Sequence, residues 1–153
     1  MAAIVEREGR YLLVEEHTAD GLRLNNPAGH LEPGESPLQA VVREVLEETA
    51  CRFEPRSLVG VYLSRLQRPA SGEDVTYLRL AYAGAVDEPG AGRSCDAEIV
   101  RTLWLTLEEL QACPQRHRSP LLMRCIDDHR AGRSYPLELV STDPSIYLPT
   151  IET

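Results

Sequence analysis

The sequence predicts an α/β chain, and three observations carry that expectation. Strand-like runs occur around turn residues, a doubly signalled helix separates the second run from the third, and two further capped helices follow the last run. "AAIVE" and "RYLLVEE" flank "REG" and read as two strands around a tight turn, with Gly9 taking the unusual backbone angles. After "TADG", the segment "LRLNNPAGHLEPGE" is too rich in Asn, Pro and Gly for regular structure and reads as a loop feeding the helix. Ser36 is a good N-cap, Pro37 suits the first helical position and Gln39 completes a capping box, so helix is expected from about Pro37 to Thr49. "RSLVGVYLSRLQR" and "EDVTYLRLAYAGAV" read as strands around the turn-rich "PASGED", and "EIVRTLWLT" as another. In "TLEELQAC", Thr106 and Glu109 form a second capping box, and "SPLLMRCIDDHR" repeats the Ser-Pro opening at Ser119 and Pro120. The tail from about residue 135 holds three prolines and is expected to be irregular.

Composition narrows the classes of function. A length of 153 residues with 42% hydrophobic and 26% charged residues suits one domain spanning 1–153, large enough to bury a core without staples. No run approaches the roughly 20 apolar residues of a membrane span, and charges interrupt "MAAIVEREGRYLLVEE" where a secretory signal needs an apolar stretch, so a cytoplasmic location is expected. Cys51, Cys95, Cys113 and Cys125 lack metal-ligand spacing and read as reduced core residues. His17, His117 and His129 likewise show no ligand spacing and are expected at the surface. All 16 basic residues are arginine, which removes lysine Schiff-base chemistry. A net charge of −8 opposes general binding to a nucleic-acid backbone, while a small phosphorylated ligand remains accessible through a metal.

The helix concentrates negative charge. At 100° per residue, Leu38, Val41, Val42, Val45, Leu46 and Thr49 make one apolar stripe, expected to pack on the sheet. Glu44, Glu47 and Glu48 share another sector, expected on the opposite side. A solvated helix face normally alternates charge sign at i+4, whereas Glu44 and Glu48 repel at that spacing by some tenths of a kcal/mol. A divalent cation reverses the sign of that cost, and clustered carboxylates suit Mg²⁺ or Mn²⁺ facing a phosphate.

Gly29, Glu35, Arg43, Glu44, Val45, Glu47 and Glu48 fall at the spacing G-x5-E-x7-R-E-U-x-E-E-x-G-U, where U is a bulky aliphatic residue. Six of the seven fixed letters match, and the chain resembles the Nudix hydrolases. Ala50 replaces the last glycine and Cys51 the closing aliphatic residue, so Ala50 either takes a left-handed angle with some strain or extends the helix slightly. "NNPAGHLEPGES", "AEIVRTLWLTLEEL" and "RSPLL" look like the phosphatase NudJ branch of that family.

The resemblance implies an α/β/α sandwich with a mixed sheet. It implies metal-contacting roles for Glu44, Glu47 and Glu48, a Glu35–Arg43 pair that fixes loop against helix, and Gly29 as the point where backbone approaches ligand. His30 either hydrogen-bonds a phosphate oxygen or caps the loop. Glu44 and Glu48 from the helix, or Glu98 from a loop, are the candidate general bases. For the organic half of the substrate, one of Tyr62, Tyr77 and Tyr82 is a candidate for stacking on a base, with Arg65 or Arg79 on phosphate. The expected activity is Mg²⁺-dependent (or Mn²⁺-dependent) hydrolysis of nucleoside di- and triphosphates and thiamine-type pyrimidine pyrophosphates, by a monomer or homodimer. Pyrophosphate release from triphosphates, cleavage of ADP-ribose-type substrates, and a ligand sensor without turnover remain the alternatives.

Overall fold

The computed structural model describes residues 1–149, so the end of the expected irregular tail, 150–153, lies outside the described residues. The strands are β1 (Ala2–Arg7), β2 (Arg10–Thr18), β3 (Gly21–Asn25), β4 (Phe53–Arg68), β5 (Glu73–Val86) and β6 (Ile99–Thr106). Helix α1 (Pro37–Thr49) lies between β3 and β4, and α2 (Leu107–Gln111) and α3 (Leu121–Arg130) follow β6. The strands form one sheet ordered β3-β2-β1-β5-β4, with β6 paired to β2. β1 runs parallel to β5 and the other pairs are antiparallel, so the sheet is mixed.

Successive strand residues point to opposite faces, and the core divides accordingly. Leu12, Leu58 and Tyr82 meet Val41 and Val45 of α1 on one face. Tyr11, Leu13 and Ala81 meet Leu110 of α2 and Leu122 and Ile126 of α3 on the other. Val41 and Val45 are fully buried, each contributing about 1.5–3 kcal/mol. The expected sandwich is therefore present.

The β1–β2 turn places Glu8 at φ 52° and Gly9 at φ 76°, so a non-glycine residue shares the left-handed region with the expected glycine. Ser36 caps α1 by accepting from the Gln39 amide, and the Gln39 side chain accepts from the Ser36 amide in return. Ala50 ends the helix at φ 59° and ψ 11°, resolving the two options for that position in favour of the left-handed one. Ala50→Gly is expected to stabilise the fold by about 1 kcal/mol, read as a rise of roughly 2–4 °C in Tm.

Several expectations change. β3 takes in the first four residues of the segment read as loop, because the short Leu22–Leu24 alternation was outweighed by the Asn, Pro and Gly beside it. α3 starts at Leu121, after Pro120, while Ser119 Oγ accepts from the Leu121 amide without capping the helix as Ser36 does. The tail carries two short 3-10 turns, Leu137–Leu139 and Pro144–Tyr147. Of the histidines read as surface residues only His17 is exposed; half-buried His117 contacts the Leu110 carbonyl and His129 the Tyr11 hydroxyl. Cys51 and Cys125 are core residues, but Cys95 and Cys113 are half-buried, and all four are free thiols. Among the described residues no helix is long and apolar enough to cross a membrane.

Candidate active site

The loop before α1 is clipped to the first strand. The Ala3 amide donates to the Pro27 carbonyl at 2.9 Å and the Gly29 amide to the Met1 carbonyl at 3.0 Å, which fixes residues 27–29 beside the helix. From there the Ala28 amide donates to Glu48 Oε2 at 2.9 Å. A side chain on Gly29 would put its Cβ 1.9 Å from the Glu44 carboxyl carbon, so the missing Cβ makes the space that this carboxylate fills.

Glu44 and Glu48 are only 9% and 7% exposed, which corrects the expectation that they sit opposite the buried stripe. Glu48 lies only about 20° around the helix from Val41, so both carboxylates border the core. Glu47 remains half-buried.

Arg43 ties this cluster together. Its Nε and Nη2 donate to the two oxygens of Glu35 at 3.0 and 2.8 Å, the expected loop-to-helix pair in fork geometry. Nη1 also reaches Glu44 Oε1 at 2.8 Å and Glu47 Oε2 at 2.9 Å, while Nη2 donates to the His30 carbonyl at 3.0 Å. The guanidinium holds the Glu35 carboxyl below its ordinary range.

Positive charge does not cover the whole cluster. Burial raises the Glu44 carboxyl despite Arg43. Burial pushes Glu48 up to about 8, helped by the charges of Glu16, Glu44 and Asp96 and opposed by the Ala28 amide. Among the described residues no three His, Cys, Asp or Glu side chains stand in ready coordinating geometry, since Arg43 draws Glu44 and Glu47 to itself. Two buried, undercompensated carboxylates beside a third are nevertheless a donor set that fits a hard divalent cation.

Two carboxylates join the cluster that sequence reading passed over. Glu16 is 5% exposed on β2, and the alternation Leu12, Val14, Glu16 points it to the α1 side. Arg118 Nη1 approaches Glu16 Oε1 to 2.8 Å without aiming an N–H at it, leaving that oxygen without an aligned hydrogen bond. Asp96, whose amide donates to the Glu47 carbonyl, is the loop carboxylate whose field acts on Glu48. Glu98 is exposed two residues further on, its carbonyl accepting from the His17 amide.

The candidates for the organic half separate clearly. Tyr77 stacks on His30, with centroids 6.3 Å apart and planes at 10°. Tyr62 is held by Asp128, and Tyr82 is fully buried with its hydroxyl unpartnered. Arg65 is taken up by Asp74 through two bonds of 2.7 and 2.6 Å. Arg79 instead contacts the side-chain oxygens of Asn26 and Asn25 at 3.2 and 3.3 Å. A separate cleft of about 460 Å³, lined by Glu6, Tyr11, Leu107, His129 and others, shares no residue with the carboxylate cluster.

Known proteins carry the same arrangement of chain. The NUDIX domain family model matches residues 1–124. Phosphatase NudJ of Escherichia coli K12 is 34% identical over 142 residues, covering 92% of this chain and 88% of that protein. A NUDIX hydrolase from Nitrosomonas europaea superposes with a TM-score of 0.84 at 44% identity, covering 93% of this chain and 94% of the other. The MutT NUDIX hydrolase from Burkholderia pseudomallei, at 23% identity and TM-score 0.61 over 83% and 93% of the two chains, shares the fold. A matched domain across most of the chain, together with the fork of Arg43 on Glu35 beside Glu44, Glu47 and Glu48, places this chain in the Nudix family as a hydrolase of phosphoanhydride bonds.

Proposed function

We propose that the protein is a Mg²⁺-dependent phosphohydrolase that releases the terminal phosphate of nucleoside di- and triphosphates, with thiamine-type pyrimidine pyrophosphates as further substrates. The observation that carries this reading is the buried Glu44–Glu48 pair beside Glu47, whose surplus negative charge calls for a divalent cation. When bound, Mg²⁺ (or Mn²⁺) neutralises charge on the transferred phosphoryl group and lowers the pKa of the attacking water. Glu44, Glu47 and Glu48 would hold it, and Gly29, by lacking a Cβ, leaves the Glu44 carboxylate its place beside the loop that would approach the phosphate. Arg43 keeps helix and loop in register through Glu35.

A carboxylate must then take the water's proton. Glu48 and Glu44 stand inside the cluster, whereas Glu98 serves only if its loop brings it inward from the surface. His30 and Tyr77 offer a planar surface for the heterocycle. Arg65 reaches a phosphate only by leaving Asp74. Residues 1–153 act as one domain, as monomer or homodimer, in the cytoplasm and on small phosphorylated molecules rather than nucleic acid. The relative named a phosphatase supports terminal-phosphate release over pyrophosphate release. The intact carboxylates disfavour a sensor without turnover.

The test is phosphate release from GDP, GTP and thiamine pyrophosphate with Mg²⁺, read with and without inorganic pyrophosphatase. Orthophosphate formed directly from the diphosphates is the expected result. Pyrophosphate from GTP, with no turnover of the diphosphates, would assign the other cleavage.

A further inference from the structure

We infer that Arg79, presented by Asn25 and Asn26, is the specificity-determining anchor for the phosphate that stays on the organic product. This deepens the phosphohydrolase reading and rests on it for the substrate class.

The inference begins with the distribution of arginines, because a chain without lysine must recognise phosphate through arginine, metal or backbone. Arg43 is saturated by Glu35, Glu44 and Glu47, Arg65 by Asp74, and Arg68 by Glu73 and Asp20. Arg101 and Arg116 share Glu15. Arg79 is half-buried yet has no carboxylate within ion-pair range among the described residues. Its partners are neutral: amide oxygens at 3.2 and 3.3 Å, longer than the charge-assisted norm of roughly 2.7–2.9 Å, and the Cys125 thiol of α3. Asn26 is itself 1% exposed and Asn25 6%, so the amides that aim the guanidinium are fixed in place. A partly desolvated guanidinium with no carboxylate partner and with spare N–H donors is built for an anion.

Its position identifies which anion. Asn25 and Asn26 lead directly into Pro27, Ala28 and Gly29, the segment that touches Glu48 and Glu44. The Met1 amino group, bonded to the Gly29 carbonyl, has its pKa lowered first by burial and next by Arg79, and also feels Glu44. Arg79 and Glu44 therefore both act on this one amino group. Along β5 Arg79 shares a strand face with Tyr77, about 7 Å away by strand geometry, and Tyr77 stacks on His30. A heterocycle on that stack reaches Arg79 with its first phosphate, leaving the terminal phosphate to the carboxylates and their cation.

The test is equilibrium binding of the product GMP, of guanosine and of orthophosphate to wild type, Arg79→Gln and Arg79→Lys, by calorimetry with Mg²⁺ and again with EDTA. Arg79→Gln is expected to weaken GMP ~10–100-fold while leaving guanosine and orthophosphate within about twofold. Arg79→Lys, which keeps the charge but loses the fork, is expected to recover part of the affinity. In turnover of GDP the same change raises KM and leaves kcat within a few-fold. Melting curves of both variants control for folding. GMP affinity unchanged in Arg79→Gln would overturn the inference, as would an equal loss for guanosine. If wild type hydrolyses no di- or triphosphate, the proposed function falls, while Arg79-dependent GMP binding would still support the anchor.

Discussion

Glu48→Gln is expected to lower kcat by at least ~10²–10³-fold and, in the metal-free protein at pH 8, to raise the melting temperature by roughly 4–10 °C. The two effects have one origin. Burial and the neighbouring charges of Glu16, Glu44 and Asp96 push the Glu48 pKa from its ordinary 4.5 to about 8. The folded state therefore favours the protonated form. The stability this group contributes is present in full below about pH 4.5 and is lost as pH rises through about 8. By pH 8 the loss is on the order of 2–4 kcal/mol. Glutamine cannot ionise, and its carbonyl oxygen still accepts from the Ala28 amide, so the variant escapes that cost while losing a metal-holding oxygen. Thermal melts in EDTA at pH 5 and pH 8, beside phosphate-release assays, separate the two effects. At pH 5 the stability gain shrinks; a gain of equal size at both pH values would show that charge is not its cause.

Arg43→Ala is expected to destabilise the metal-free protein by about 2–4 kcal/mol and to abolish turnover. Removing one partner of a buried ionic network leaves the others uncompensated, and Arg43 serves Glu35, Glu44 and Glu47 together. Its side chain is 24% exposed, which keeps the figure below that of a fully buried pair. Two signatures distinguish this role from ordinary packing. Saturating Mg²⁺ raises the Tm of Arg43→Ala more than that of wild type, because a cation replaces the charge that Glu44 and Glu47 lost. The gap between the proteins also narrows in acid. Glu35 is depressed by Arg43, so its contribution is present above its ordinary value of 4.5 and disappears as pH falls through the lowered folded value.

The parts of the fold that were legible in sequence are those encoded locally. Ser36, Pro37 and Gln39 announce the start of α1, and the observed cap bonds are the expected ones. Gly29, Glu35, Arg43 and the three glutamates sit at fixed intervals along one continuous segment, so both the family and the carboxylate cluster could be read from spacing. β3 was obscured because a five-residue strand offers one alternation and stands beside loop-forming residues. Glu44 and Glu48 were misplaced because a helical wheel gives angles but not how wide the packed face is.

Glu16, Asp96 and the Asn25–Asn26–Arg79 group belong to a different class. They come from β2, the loop before β6, the end of β3 and β5, and meet only through tertiary structure. A signal for Glu16 did exist, since a charged residue continuing the inward Leu12–Val14 alternation must find a purpose in the interior. For Arg79, composition hinted at phosphate contact but could not separate it from Arg65; the distinction is that one faces Asp74 and the other neutral amides.

The most direct test of the crowded glutamates as a cation site is Mn²⁺ binding to metal-free wild type and Glu48→Gln, followed by electron paramagnetic resonance and by calorimetry in buffers of different ionisation enthalpy. Saturable binding near pH 7 that releases a proton from Glu48 and is weakened at least ~10-fold in the variant is expected. Binding of equal strength in both proteins, or none at millimolar Mn²⁺, would contradict the assignment.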